Sequence, residues 1–556
     1  MSNKQRWSEQ PDVLVVGSGA AGLTAAIVAH DRGARVLVVE RTDKVGGTTA
    51  VSGGGIWIPL NHHMVDAGYE DSREEALAYC KALAMGRVDE ELIETFIDTA
   101  PDVIRYIEEN TLLKFNAMTA PDYHPELTGG KQGGRSIEAE PFDTRLLGEW
   151  QSRLRPPNAF AFPITRQEAF GDYDAFYRPW LVPQDLAVER MTNGVVTLGQ
   201  ALAAGLLKAV LDRGIEIRLE TRVRVLIVQD DEVVGVRAEN DAGSVYIKAT
   251  SGVVLASAGF EWNKELTDKF IGGEIENPNS PPFNDGDGLL MAMEVGADLA
   301  NMNEVWNFPS LMIPGESYEG QPLSRAVNAE RSGPHVIWVN RHGKRFVNEA
   351  ANYNSMGKVF QNIETDRPDY ENLPAWAIID SQYREKYVLG TTMPEDPDPP
   401  WAIRSESLQE LAHQTGIDGA ALEATVERWN ALVRDGRDAD FGKGESLYDR
   451  FQGDREADNP NMGTIEKPPF YAIPVHTGAL GTKGGPRTNS SAQVLNVRGH
   501  PIVGLYAAGN VTASITGPGY YGRGATLGPA LTWGYLAGAH AADQREAAGL
   551  STAGRG

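Results

Sequence analysis

Apolar positions fall into short β-branched runs, each followed by a small-residue or glycine-rich stretch. Asp12–Val16 (Asp-Val-Leu-Val-Val) reads as a buried parallel strand. Leu23–Ala29 follows as a helix of small residues, and Ala34–Glu40 as a second strand that ends on an acid. Val253–Ala258 has the same buried-strand character and runs into Gly259. Pro501-Ile502 leads into Gly504–Gly509, which repeats the strand-then-glycine pattern. Between these, Leu198–Glu220 reads as a helix and then a strand over Ile215–Leu219. Arg222–Ala238 and Ser244–Ala249 alternate like hairpin strands about the turn Asn240–Gly243. Asn284–Gly288 reads as a turn that opens a helix over Leu289–Val295. From Ala297 to about Pro474 the patterns mix, and proline-rich linkers such as Pro394–Pro400 collect there. These patterns predict an α/β chain with an α+β region inserted, divided as 1–296, 297–474 and 475–556.

Composition narrows the function classes. A length of 556 residues allows two to four ordinary domains. With 51 Lys and Arg against 76 Asp and Glu, the net charge is −25, which argues against nucleic acid and anionic membranes as partners. No apolar run reaches the roughly 20 residues of a membrane-spanning helix, and Met1–Pro11 has no apolar signal core, so a cytoplasmic protein is expected. The single cysteine, Cys80, excludes an internal disulfide and a Cys-based metal site, and no metal site is predicted. It lies in a helix-like run and reads as a core residue. The 60 glycines exceed the ordinary share, and they are clustered.

The first cluster is Gly17-Ser18-Gly19-Ala20-Ala21-Gly22, between the first strand and its helix. Gly17 permits the tight turn, Gly19 lets backbone approach a pyrophosphate, and Gly22 lets helix pack on strand. The helix N-terminus then faces the phosphates. Glu40 lies where an acid accepts from ribose hydroxyls, and it disfavours a 2′-phosphate. This pattern predicts a dinucleotide, NAD or FAD. Two more segments bear on the choice: Gly46–Gly55 directly after the second strand, suited to a loop of amides and hydroxyls along a flat polar ring, and Gly504–Asn510 near the end of the chain.

In their joint order these segments resemble the fumarate reductase/succinate dehydrogenase flavoprotein family. The resemblance implies a Rossmann-like FAD-binding domain of the glutathione-reductase type, 1–296 and 475–556, with an inserted substrate cap over 297–474. It implies that FAD is held by Gly17, Gly19, Ala20, Ala21, Gly22, Glu40, Arg41, Gly46, Gly47, Thr48, Thr49, Ser52, Gly53, Gly54, Ala258, Gly259, Asp287, Gly509, Asn510, Ala525, Thr526 and Leu527. No His stands between Arg41 and Asn61, where membrane-bound members attach the cofactor, so FAD is expected to be non-covalent.

Fumarate reductases place arginines over the flavin. Here the corresponding region reads Gly519-Tyr520-Tyr521-Gly522-Arg523-Gly524-Ala525-Thr526, and by register Tyr521 replaces the dicarboxylate-binding Arg. Four residues after Glu349 of Gly343-Lys344-Arg345-Phe346-Val347-Asn348-Glu349, where the proton-donating Arg is expected, stands Tyr353. This pattern is similar to the 3-ketosteroid dehydrogenases, as are Gly481–Gly485, Ala329–Ser332 and Asp122-Tyr123-His124-Pro125-Glu126. The resemblance implies a hydrophobic ketone substrate, desaturated α,β to its carbonyl. The Tyr520 hydroxyl and Gly524 N–H would hold the ketone oxygen, Tyr353 would take the α-proton, and Tyr123 would assist it. An external acceptor such as a quinone would reoxidise the flavin.

Tyr318, Tyr173 and Tyr177 are rival bases, and His476 and Lys483 are placed near the flavin by motif. Tyr521 before Gly522, with Arg523 next, departs from the steroid pattern. A smaller cyclic ketone, with Arg523 pairing to a carboxylate, is one alternative, and an ene-reductase working in reverse is another. The aromatic stretch Ile137–Tyr177 reads as a flexible surface insert, or else a lid or a patch for another subunit or a membrane surface.

Overall fold

The structure is a computed structural model that describes residues 7–158 and 163–547. Phe160 and Phe162 of the aromatic stretch, and the residues beyond Ala547, lie outside the described residues. β1 (Val13–Val16) is the centre of a six-stranded sheet. It pairs in parallel with β2 (Val36–Val39) on one side and with Gly252–Leu255 on the other. The full order is Gln493–Leu495, Pro501–Ala507, Gly252–Leu255, β1, β2, Glu216–Arg218, and only the outermost pair, 493–495 with 501–507, is antiparallel. Both faces of β1 are covered, which is why it reads as an unbroken apolar run rather than an alternating one. α1 (Ala20–Asp31) covers one face, and the last helix, Leu527–Ala547, packs along it, so the chain's end closes on its beginning.

The predicted hairpin region forms a three-stranded antiparallel sheet, Arg222–Gln229, Glu232–Asn240 and Gly243–Lys248, and Asn240 Oδ1 accepts from Ala242 N at 2.9 Å in its turn. Within 297–474 an antiparallel sheet of Val336–Asn340, Ala375–Asp380, Phe470–Val475 and Ile403–Ser405 carries helices on one face. Two strand pairs, Leu299–Ala300 with Gly485–Pro486 and Val305–Asn307 with Ala479–Thr482, tie this region to the returning chain. Beneath the sheet lies a buried charge network. Glu349 takes Arg345 at 2.9 Å and the Trp338 N–H at 3.0 Å, and Lys443 Nζ donates to Val336 O at 2.8 Å. Burial brings the Lys443 ammonium down to about 8, against the opposing pull of Glu349.

Two expectations change here. Gly46–Gly55 is not all loop: Gly47–Val51 is a helical turn that starts after Gly46. The described part of Ile137–Tyr177 is packed at both ends, and only Arg145–Arg153 between them lies largely on the surface. Ser136–Ala139 is the centre of a small sheet, Phe170 stacks near Phe176 and Phe451, and Tyr177 is buried with its hydroxyl donating to Gln452 O at 2.8 Å. Aromatic residues that look superfluous on a surface are there to pack against the inserted region. Cys80 is buried, as its helical setting predicts.

Candidate active site

The carboxyl ends of the central strands open into a cavity of about 270 Å³. At its floor Gly17 takes φ +108°, and its N–H donates to Val39 O at 2.8 Å. A Cβ at Gly17 would stand 2.3 Å from Ala256 O, so no other residue fits this turn. A Cβ at Gly19 would meet only Thr49 Oγ1, at 3.6 Å, so that side of the turn opens to the cavity. The Ala20 N–H at the head of α1 donates to the same hydroxyl at 2.9 Å. Glu40 ends β2 at the cavity wall, where its carboxylate accepts from Ser18 Oγ at 2.7 Å and from Thr42 N at 3.0 Å. A bare glycine turn, a helix N-terminus, a strand-end acid and the hydroxyls of Thr48, Thr49 and Ser52 make a donor and acceptor set that fits a dinucleotide pyrophosphate and ribose.

Most residues expected at the cofactor line this cavity, including Arg41, Gly47, Gly53, Gly54, Ala258, Asp287, Gly509, Asn510, Thr526 and Leu527. Four do not. Gly22 lies behind the turn, where a Cβ would strike Gly17 O at 2.1 Å; Gly259 lies against Thr482; Gly46 gives its N–H to Ser18 O; and Ala525 gives its N–H to Gly522 O. These four shape the walls rather than face the space. Asp287 faces the cavity already paired with Arg222, at 2.6 Å.

Above this floor three tyrosines from distant segments meet. The Tyr123 hydroxyl donates to the Tyr353 hydroxyl at 2.7 Å. The rings of Tyr123 and Tyr520 are 5.0 Å apart edge to face, and those of Tyr353 and Tyr520 are 5.8 Å apart. Tyr353 opens the short helix Tyr353–Gly357, capped by Asn352, whose Oδ1 accepts from Ser355 N at 2.9 Å. Arg331 holds the approach to that helix by donating to Ala351 O at 2.7 Å. Tyr123 is held from both sides. Its N–H donates to Tyr521 O at 3.1 Å, and the preceding Asp122 accepts from Trp57 Nε1 at 2.7 Å and Arg135 Nη1 at 2.9 Å. Burial pushes the Tyr353 phenol well above its ordinary range, while the bond from Tyr123 works the other way by stabilising the phenolate.

Gly524 takes φ +94° and lines the cavity, and among the described residues its N–H meets no acceptor. Tyr521, which the register put in place of the dicarboxylate-binding Arg, points the other way. It is fully buried against Trp57, and its hydroxyl donates to Ile515 O at 2.8 Å. Lys483 and His476 are not at the cavity either. Lys483 Nζ is buried, donating to Gly519 O at 2.7 Å and sitting 4.3 Å from the Trp306 ring, behind Tyr520. His476 pairs with Glu276 at 3.1 Å. The rival bases fall away: Tyr318 donates to Pro156 O at 2.9 Å, and neither it nor Tyr173 or Tyr177 lines the cavity.

Two arginines reach the cavity: Arg523, which the sequence offers as a partner for a carboxylate, and Arg166, which it does not single out. The Arg523 guanidinium enters among Phe170, Phe451, Tyr448 and Tyr123, with ring distances of 4.7 to 5.9 Å. One of its nitrogens donates to Gln452 Oε1, while Nη1 is buried with no hydrogen-bond partner. Arg166 lines the same space, and burial together with the Arg523 charge depresses its pKa. Tyr448, whose hydroxyl is also buried without a partner, completes the ring of phenols. No motif surrounds Arg166 or Tyr448, so only their place in the fold reveals them.

Among the described residues no helix is long and apolar enough to cross a membrane. The family model for the FAD binding domain matches residues 12–527. Over 543 residues the chain is 40% identical to 4-oxocyclohexanecarboxylate 2-dehydrogenase of Sinomonas cyclohexanicum, spanning 96% of this chain and 93% of that protein. It is 37% identical over 561 residues to 3-oxosteroid 1-dehydrogenase of Mycobacterium tuberculosis, spanning 96% and 98%. The crystal structure of 3-ketosteroid delta1-dehydrogenase from Sterolibacterium denitrificans, in complex with 1,4-androstadiene-3,17-dione, matches with a TM-score of 0.91 at 36% identity, over 97% of this chain and 100% of that one. A cavity built for a dinucleotide under a cluster of phenols agrees with these likenesses: the chain belongs to the FAD binding domain family, in its branch of FAD-dependent dehydrogenases that form a C=C bond next to a ketone.

Proposed function

We propose that this enzyme desaturates a small cyclic ketone that bears a carboxylate. The observation that carries the reading is the Arg523 guanidinium inside the cavity, with Nη1 buried and unpaired beside the tyrosine cluster. A buried guanidinium edge without an acceptor is costly, and a substrate carboxylate would satisfy it. In this reading the Tyr520 hydroxyl and the Gly524 N–H, both at the cavity, hold the ketone oxygen and the negative charge that grows on it. Tyr353 removes the α-proton as phenolate, and Tyr123 stabilises that phenolate through its 2.7 Å hydrogen bond. Bound flavin supplies the acceptor for the β-hydrogen, which leaves as hydride. The substrate thus loses one proton and one hydride and gains the C=C bond.

In this reading FAD is non-covalent, residues 1–296 and 475–556 hold it, and 297–474 acts as the substrate cap. The meeting of Tyr353, Arg331 and Tyr448 from the cap with Tyr123 and Tyr520 supports that division. Turnover needs an external acceptor, a quinone being one suitable class, and the enzyme works in the cytoplasm. A 3-ketosteroid substrate is the second reading. It is favoured by the near-complete match to a steroid-bound dehydrogenase, but a steroid brings no anion to Arg523. Anaerobic mixing tests the two. 4-Oxocyclohexanecarboxylate should bleach the oxidised flavin faster than cyclohexanone or a 3-ketosteroid. Bleaching by the steroid alone would overturn the carboxylate reading, and no bleaching by any saturated ketone would overturn the direction of reaction.

A further inference from the structure

His124 follows Tyr123 directly but belongs to no part of the chemistry above. It stands against the helix that carries Tyr353. Its Nε2 lies 3.0 Å from Asn352 Nδ2 and 3.4 Å from Ser355 Oγ, and its Nδ1 lies 3.1 Å from Glu126 Oε1. The hydrogen-bond inventory allows one arrangement of protons. Asn352 Oδ1 is committed, because it accepts from the Ser355 N–H at 2.9 Å and caps the helix. The amide nitrogen therefore faces His124, and Nδ2 only donates. Nε2 then accepts from Nδ2, which is the tautomer that carries its proton on Nδ1 and gives it to Glu126.

We infer that His124 is a positioning residue for the reaction, a clamp that fixes Tyr353 by holding the side-chain amide of Asn352. Without the Nε2 acceptor the Asn352 amide is free to turn, and turning gives up the cap on the residue next but one to Tyr353. The titratable groups about it are Glu126 on its own loop, Tyr79, whose hydroxyl accepts the His124 backbone N–H at 3.2 Å, and Tyr353 on the clamped helix. Tyr123, the chain neighbour, donates to Tyr353, so both ends of that hydrogen bond are anchored beside one imidazole.

The inference rests on Tyr353 as the base, and the test separates the two. On FAD-loaded enzyme, kcat and KM for the keto acid are measured against pH for the native chain and for His124→Gln, His124→Ala and Tyr353→Phe. The Gln side-chain oxygen replaces the Nε2 acceptor and does not titrate. His124→Gln should keep most of kcat. His124→Ala should lower kcat about tenfold at every pH with KM little changed. A kcat in His124→Gln as low as in His124→Ala, or native kcat in His124→Ala, overturns the clamp. Full turnover by Tyr353→Phe overturns the base assignment instead.

Discussion

The hydroxyls of Tyr123 and Tyr353 share a 2.7 Å hydrogen bond across 230 residues of sequence, with Tyr123 as donor. A donor to the base strengthens as the base becomes anionic, so its effect belongs to the chemical step. Tyr353→Phe should cut kcat by roughly 10² to 10⁴. Tyr123→Phe should cut it by about 10-fold, the worth of one charge-assisted hydrogen bond. Flavin absorbance after desalting should be unchanged in both, and steady-state kinetics with an artificial acceptor reads the difference.

Arg523 predicts a split between substrates. Arg523→Met keeps the aliphatic volume among Phe170, Phe451 and Tyr448 and removes the charge. KM for a keto acid should rise about 10- to 100-fold, as expected for a buried ionic hydrogen bond. KM for cyclohexanone should stay within about twofold. Equal losses on both ketones would mean that the residue only packs.

Gly17 predicts cofactor loss rather than catalytic loss. Alanine there would combine φ +108° with a Cβ 2.3 Å from Ala256 O. The turn must shift, and the Gly19 approach to the pyrophosphate shifts with it. Gly17→Ala should be isolated without flavin, and added FAD should restore little absorbance.

Lys443 predicts a slope in stability. Its folded value is lowered from 10.5 to about 8 by burial. Below about pH 8 both the folded and unfolded chains hold the proton, and the penalty for burying the charge is complete. Between about pH 8 and 10.5 the unfolded chain binds more protons than the folded one, so stability rises with pH. Urea unfolding midpoints should climb through that window in the native chain and lose that part of the climb in Lys443→Met.

Two pairs of residues show how far a motif carries. Tyr520 and Tyr521 are equivalent as letters, and the register chose Tyr521 for the place of the missing arginine. In the structure Tyr520 faces the cavity and Tyr521 faces Trp57 and Ile515. Lys483 and Arg523 were both cations near the flavin segments. Only Arg523 enters the site, and Lys483 is spent on the carbonyls of Gly517, Pro518 and Gly519.

By itself the sequence determined the cofactor floor. β1, the Gly17–Gly22 turn, α1, β2 and Glu40 are contiguous in the chain, and their chemistry follows from local rules of turn, helix end and strand length. The resemblance extended this to the three tyrosines one by one. Only the tertiary structure decided what they do together. Tyr123, Tyr353 and Tyr520 come from a loop after the first helices, from the inserted region and from the returning chain, and side-chain direction within each loop has no sequence period. The same holds for Arg166, Tyr448, His124 and the aromatic stretch up to Tyr177. Their roles depend on which surface each one meets, and that is set by packing between segments hundreds of residues apart.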